Sequence, residues 1–102
     1  MTTSSHETEL IEQNLNQLLM QKQSIQIEFN ETVNALEELQ KSKGDVYRML
    51  GNIMIKSEKQ SLINELEERK KVLEMQLSVF DKQEMLFGSK LKDLKKVKSG
   101  ND

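Results

Sequence analysis

The chain of 102 residues contains no cysteine, no proline and no tryptophan, and only 4% of its residues are aromatic. Without cysteine it has neither a disulfide framework nor a thiolate metal site. Its one histidine, His6, lies in a polar segment near the start, so no set of side chains suggests a catalytic or metal-binding centre. The composition therefore predicts no enzyme, no metal and no cofactor.

Long apolar runs are also missing. No stretch approaches the roughly 20 apolar residues of a membrane-spanning helix. The first residues, MTTSSHETEL, lack the cationic and apolar parts of a signal peptide. The net charge of −2 gives no reason to expect nucleic acid as a partner. We therefore expect a soluble cytoplasmic protein that contacts neither a membrane nor nucleic acid.

Apolar residues recur at alternating steps of four and three, which is the spacing of a coiled-coil seam. Charged residues of both signs make up 31% of the chain, as is typical of long helices. The seam in the first half consists of Ile11, Leu15, Leu18, Lys22, Ile25, Phe29, Thr32, Leu36 and Leu39. The seam in the second half consists of Ile63, Leu66, Lys70, Leu73, Leu77, Phe80, Glu84, Phe87 and Leu91, and Leu94 continues it.

The spacing of the first seam read forwards matches the second read backwards, as an antiparallel pair of helices requires. Ile11 then lies opposite Leu91, and Leu39 lies opposite Ile63. Lys22 falls one layer from Glu84, so its ammonium group is predicted to reach that carboxylate. A shift by one heptad keeps the same spacing and is an alternative register.

A short segment at the midpoint, DVYRMLGNIMIKS, has the character of a β-hairpin. Gly51 and Asn52 separate two apolar runs, and glycine supplies the positive φ that such a turn needs. A lone hairpin is marginally stable in water, and its free edges invite pairing with other chains. Either it pairs with hairpins of other subunits, or it folds back as a private apolar knob. The oligomerisation residues predicted on the first reading are Val46, Tyr47, Met49, Leu50, Gly51, Asn52, Ile53, Met54 and Ile55.

These segments together resemble the β class of the prefoldin family. The resemblance is carried by QKQSIQIEFNETVNALEEL, then by the hairpin DVYRMLGNIMIKS, then by the helix LINELEERKKVLEMQLSVFDKQEMLFGSKLKDL. It predicts one mainly α-helical domain over residues 1–102. In that domain an antiparallel coiled coil of helices 8–42 and 58–97 is joined by a hairpin at 45–57, and both polar ends are frayed.

The resemblance also implies an assembly and an activity. The assembly is a hexamer of two α-class and four β-class subunits, whose hairpins build a β-barrel platform. The activity is ATP-independent capture of unfolded proteins, which are then delivered to a group II chaperonin. No cofactor is implied. A structural coiled-coil adaptor, which joins defined folded partners through the same hairpin and seam, is the alternative from another functional class.

Capture by such a subunit needs apolar residues at the helix ends far from the hairpin, which we call the tip. Exposed apolar patches usually mark interaction sites, and methionine adapts to varied partners. Each tip residue either contacts unfolded proteins or simply widens the coiled-coil core. The predicted tip residues are Leu10, Ile11, Leu15, Leu19, Met85, Leu86, Phe87, Leu91 and Leu94.

Overall fold

The computed structural model describes residues 2–100, with side chains described for residues 5–95. In chain order it contains helix α1 (Thr2–Lys41), strands β1 (Val46–Leu50) and β2 (Ile53–Ser57), and helix α2 (Lys59–Gly100). Two long helices with one antiparallel hairpin between them confirm the predicted fold class. Neither helix contains, within residues 2–100, a segment long and apolar enough to cross a membrane.

Both helices extend further toward the chain ends than the predicted bounds of 8–42 and 58–97. The first turns of α1 are formed by TTSSHE, and α2 continues to Gly100. The seam spacing did not predict the first turns of α1, because residues 2–7 include no apolar side chain at helical spacing. Fraying was expected of both polar ends, and residues 1, 101 and 102 lie outside the described part of the chain.

The hairpin has the register expected for a two-residue turn. Val46 pairs with Ser57 at its base, and Leu50 pairs with Ile53 beside the turn. Gly51 has a φ of 60°, and no other described residue has a positive φ. Glycine at the first central position with positive φ is the mark of a type II′ turn, whose twist matches that of the flanking strands.

The chain forms two compact units, which we describe separately. The hairpin unit is Gln26–Met75, and the tip unit combines α1 up to Ile25 with α2 from Gln76 onward. In both units every residue of the predicted seam is buried or half-buried. The buried apolar side chains are Leu36, Leu39 and Leu73 in the hairpin unit and Leu18 in the tip unit. The 4–3 spacing therefore identified the buried stripe of both helices.

A polar member of the seam, Thr32, is buried in the hairpin unit. Its Oγ1 donates a hydrogen bond of 2.8 Å to the main-chain oxygen of Glu28. Because the hydroxyl is satisfied within its own helix, Thr32 does not need a partner across the seam. The predicted counterpart, Lys70, is half-buried, which lets its apolar stem line the layer while its ammonium stays near solvent.

The two polar seam positions of the tip unit, Lys22 and Glu84, belong to an ion-paired cluster. Lys22 Nζ lies 2.8 Å from Glu84 Oε2 and 2.7 Å from Asp81 Oδ1. The predicted contact between Lys22 and Glu84 is confirmed, and the pairing with Asp81 agrees with a register in which Lys22 lies opposite Phe80. Hydrogen bonds to Asp81 and then to Glu84 raise the pKa of Lys22 above its ordinary value of 10.5.

This cluster predicts a stability change at alkaline pH. A pKa raised by folding means that the contribution of Lys22 is complete below pH 10.5 and is lost as the pH rises through the higher folded value. Relative to a Lys22→Met variant, the wild type should therefore lose thermal stability only above pH 10.5. The measurement is the difference between the two melting temperatures across the alkaline range. A difference that stayed constant up to about pH 12 would show that the cluster does not stabilise the ammonium form.

Candidate functional site

The hairpin is the most exposed apolar surface of the hairpin unit. Every residue from Tyr47 to Lys56 is exposed, and Ile53 retains 64% of its surface in contact with solvent. Strand residues alternate between faces, and paired residues share a face. One face therefore carries Val46, Arg48, Leu50, Ile53, Ile55 and Ser57, and the other carries Tyr47, Met49, Met54 and Lys56. Both faces are apolar near the turn.

The outer edges of both strands are also open. The described backbone hydrogen bonds outside the regular helix and strand ladders involve only Ser42 and Leu62 as donors, so none reaches a strand edge. A two-stranded sheet with two open edges and two apolar faces is suited to adding further strands on either side. All nine predicted oligomerisation residues lie in this hairpin, and all but the half-buried Val46 are exposed. Their role in oligomerisation stays a prediction.

The predicted tip residues fall into two groups. Leu10, Leu19, Met85 and Leu86 are exposed. The half-buried ones, which belong to the seam itself, are Ile11, Leu15, Phe87, Leu91 and Leu94. The tip residues therefore differ in exposed surface: those of the first group keep between 39% and 74% of their surface in contact with solvent, and those of the second keep less.

Two shallow grooves bring members of both groups together in the tip unit. The first, of about 460 Å³, is lined by Glu7, Leu10, Ile11, Lys90, Asp93 and Leu94. The second, of about 440 Å³, is lined by Gln83, Leu86, Phe87 and Lys90. Lys90 lines both, so the two grooves adjoin along α2. Leu15, Leu19, Met85 and Leu91 line neither groove.

The polar lining of these grooves was not predicted from the sequence. Lys90 and Gln83 look like ordinary solvated helix positions, because neither belongs to the apolar seam. Their spacing carries a signal all the same. Lys90 lies three residues after Phe87, and Gln83 lies three before Leu86, so each stacks beside an apolar residue on its helix. Exposed Ile27 in α1, and Met75 and Val79 in α2, were likewise absent from the predicted sites.

The side chains described, those of residues 5–95, include no cluster of three or more histidine, cysteine, aspartate or glutamate residues that could hold a metal ion. His6 is exposed in the first turns of α1.

Comparison with known proteins gives a consistent result. The sequence model of the family described as "Prefoldin subunit" matches residues 6–99. Prefoldin subunit beta of Pyrococcus furiosus is 34% identical over 88 residues, which cover 84% of this chain and 75% of that protein. Prefoldin subunit beta of Saccharolobus islandicus is 38% identical over 82 residues, which cover 78% of this chain but only 65% of that protein.

Solved structures agree with these relatives. The crystal structure of the prefoldin beta subunit from Thermococcus strain KS-1 superposes with a TM-score of 0.86 at 30% identity, covering 92% of this chain and 84% of that one. The beta2 subunit of the same strain gives a TM-score of 0.77 at 19% identity, covering 87% of this chain and 97% of that one. At that identity the second comparison shows the fold alone.

Proposed function

Because this chain belongs to the prefoldin subunit family, whose members are chaperones, we propose that it is a β-class subunit that captures unfolded proteins without ATP. In this proposal four such chains join two α-class subunits, and their hairpins form a shared β-barrel platform. The tips hold the unfolded protein until it passes to a group II chaperonin. The complex works in the cytoplasm and uses no cofactor.

The proposal is supported by one observation: both units expose apolar side chains that do not belong to the seam. The hairpin exposes apolar side chains on two faces and two open edges, which supports assembly with other subunits. The tip unit exposes apolar side chains beside two grooves, which supports contact with a further protein. A monomer working alone would leave both surfaces in contact with water at a cost in solubility.

Capture of this kind needs no reacting group. An unfolded protein exposes apolar side chains, and each Å² of apolar surface that leaves water contributes roughly 25 cal/mol. Shallow grooves bury little area each, so one tip binds weakly. Several tips on one platform raise the overall affinity without any new type of contact. Weak individual contacts also let the unfolded protein leave one tip at a time.

Within the tip, the predicted residues should contribute unequally to binding of the unfolded protein, depending on whether they line a groove. We expect Leu10 and Leu86 to make the largest contacts, because they are exposed and line a groove. Ile11, Phe87 and Leu94 supply groove walls from the seam. We expect smaller contributions from Leu15, Leu19, Met85 and Leu91, which lie outside both grooves.

Light scattering tests the proposal. The chain is co-assembled with an α-class subunit, and several unrelated proteins are diluted from denaturant with and without the complex. Near-stoichiometric complex should slow aggregation of all of them in the absence of ATP. If none is protected and the complex instead binds one folded protein tightly, the chain is a structural adaptor and the proposal is wrong.

A matched pair of variants tests the contribution of the grooves. Leu86 is 67% exposed and lines a groove, whereas Met20 is 70% exposed and lines neither. Leu86→Ser should raise the amount of complex needed for half-maximal protection roughly three- to tenfold, since about 1 kcal/mol of apolar burial is lost. Met20→Ser should leave it unchanged. Equal effects of the two variants would mean that the grooves have no special role.

A further inference from the structure

The hairpin is joined to the helices by short connections only. Residues 42–45 link α1 to β1, and Glu58 alone links β2 to α2. At the base, Lys59 Nζ donates a hydrogen bond of 2.5 Å to the main-chain oxygen of Ser42. Val46, which is half-buried, and Tyr47 line a shallow hollow with Leu39 and Leu62. These contacts lie at the base of the hairpin.

One side-chain pair reaches from the hairpin to a helix. Arg48 Nη1 donates to Glu65 Oε2 at 2.9 Å, and Arg48 Nη2 donates to Glu65 Oε1 at 2.7 Å. Both carboxylate oxygens and both terminal nitrogens are used, which is the bidentate geometry that fixes direction as well as distance. Among the side chains of residues 5–95, this is the one hydrogen-bonded or ion-paired link between a strand and a helix.

The position of this pair makes it a brace. Arg48 pairs across the sheet with Ile55, which lies about 10 Å along β2 from Glu58. Glu65 lies about 10 Å along α2 from the same residue. The ion pair joins these two points and so restricts the angle between the hairpin and α2. The next residues toward the turn, from Met49 to Ile53, are all exposed.

The ion pair also neutralises a charge that lies on an apolar face of the hairpin. Arg48 shares its face of the hairpin with Leu50, Ile53 and Ile55, and it is the one charged residue there. An unpaired guanidinium would be costly to bury against another subunit. Glu65 satisfies it beforehand and draws it toward the helix. The apolar residues of this face are then left for contact.

We propose that the ion pair between Arg48 and Glu65 is an orientation brace that prepares the hairpin for association with its partner subunits. The inference rests on the proposed function, in which the hairpin is the assembly element. Both side chains are about half exposed, so the pair contributes little to the stability of the chain itself. Its effect lies in association, because a hairpin already held in one orientation loses less freedom when it binds.

The test compares two arginine–glutamate ion pairs of similar exposure. The variants Arg48→Gln and Glu65→Gln break the brace, and the double variant R48E/E65R restores it with reversed charges. The control is Arg69→Gln, because Arg69 pairs with Glu28 between the two helices of the same unit, away from the hairpin. Affinity is measured by titrating each chain into a labelled α-class prefoldin subunit from the same source, and melting temperature and helicity are measured in parallel.

Each single brace variant should weaken association roughly three- to tenfold with an unchanged melting temperature. The charge-reversed double variant should recover most of that loss, and Arg69→Gln should bind like the wild type. Wild-type affinity in Arg48→Gln, an equal loss in Arg69→Gln, or no recovery in the double variant would each overturn the inference. If the wild type itself does not bind the α-class subunit, the proposed function fails, which is a different result.

Discussion

Replacing Ile53 and Ile55 with aspartate is expected to abolish assembly while leaving the helices intact. Both side chains are exposed on the same face of the hairpin, so they contribute little to folding of the single chain. In a platform of hairpins they become buried, and because only about half of each side chain is exposed beforehand, each isoleucine then contributes about 1–2 kcal/mol. Losing two such contributions weakens association by at least roughly thirtyfold. Burial of two carboxylates adds to the loss.

The mass of the complex with an α-class subunit measures this effect. The control is Ile27→Asp, because Ile27 is 52% exposed in α1 and lies outside the hairpin. The control should assemble normally, and both variants should keep the helicity of the wild type. A double variant that still formed the full complex would rule out the platform. The exposed hairpin would then have no part in assembly.

Replacing Leu73 with alanine is expected to cause the largest loss of stability. Leu73 is 0% exposed, and it is the one described side chain that is fully buried. Truncating a buried leucine removes its contacts and leaves a cavity, at a cost of about 2–5 kcal/mol. A domain of this size has a total stability of roughly 5–15 kcal/mol. The melting temperature at fixed protein concentration should therefore fall by more than about 10 °C.

The neighbouring residue supplies the control. Val72 is exposed at 38%, so Val72→Ala should change stability by no more than about 0.5 kcal/mol. Val72 and Leu73 are adjacent in α2, but Val72 is exposed to solvent and Leu73 is buried. If Leu73→Ala melted within a few degrees of Val72→Ala, the seam would not be the source of stability in the hairpin unit.

Sequence spacing predicted the seam and the hairpin because both follow from local rules. Alternating steps of four and three bring residues such as Leu18, Leu36 and Leu73 to one side of their helices wherever the chain is helical. Gly51 and Asn52 between two apolar runs leave few alternatives to a tight turn. The contact of Lys22 with Glu84 followed from the same spacing, once the two helices were aligned antiparallel.

The grooves and the brace could not be predicted in this way. Each depends on the positions of the charged or polar groups at the ends of long side chains. Sequence spacing predicts only which side of a helix or strand carries such a side chain. Lys90 belongs to the first groove because Leu10 and Ile11 of α1 complete its lining. Arg48 meets Glu65 because the angle between the hairpin and α2 brings the ends of the two side chains within hydrogen-bonding distance. Such contacts depend on three-dimensional angles between elements, and no periodicity in the sequence encodes those angles.

The most direct test of the central claim is photo-crosslinking from the tip of the assembled complex. A photo-reactive amino acid is placed at the position of Leu86, or at that of Met20, and the complex is mixed with a protein diluted from denaturant. The account predicts strong crosslinks from the position of Leu86 to the unfolded protein, few from that of Met20, and none to the same protein once folded. Equal yields from both positions, or no crosslink from position 86 by a complex that still prevents aggregation, would contradict it.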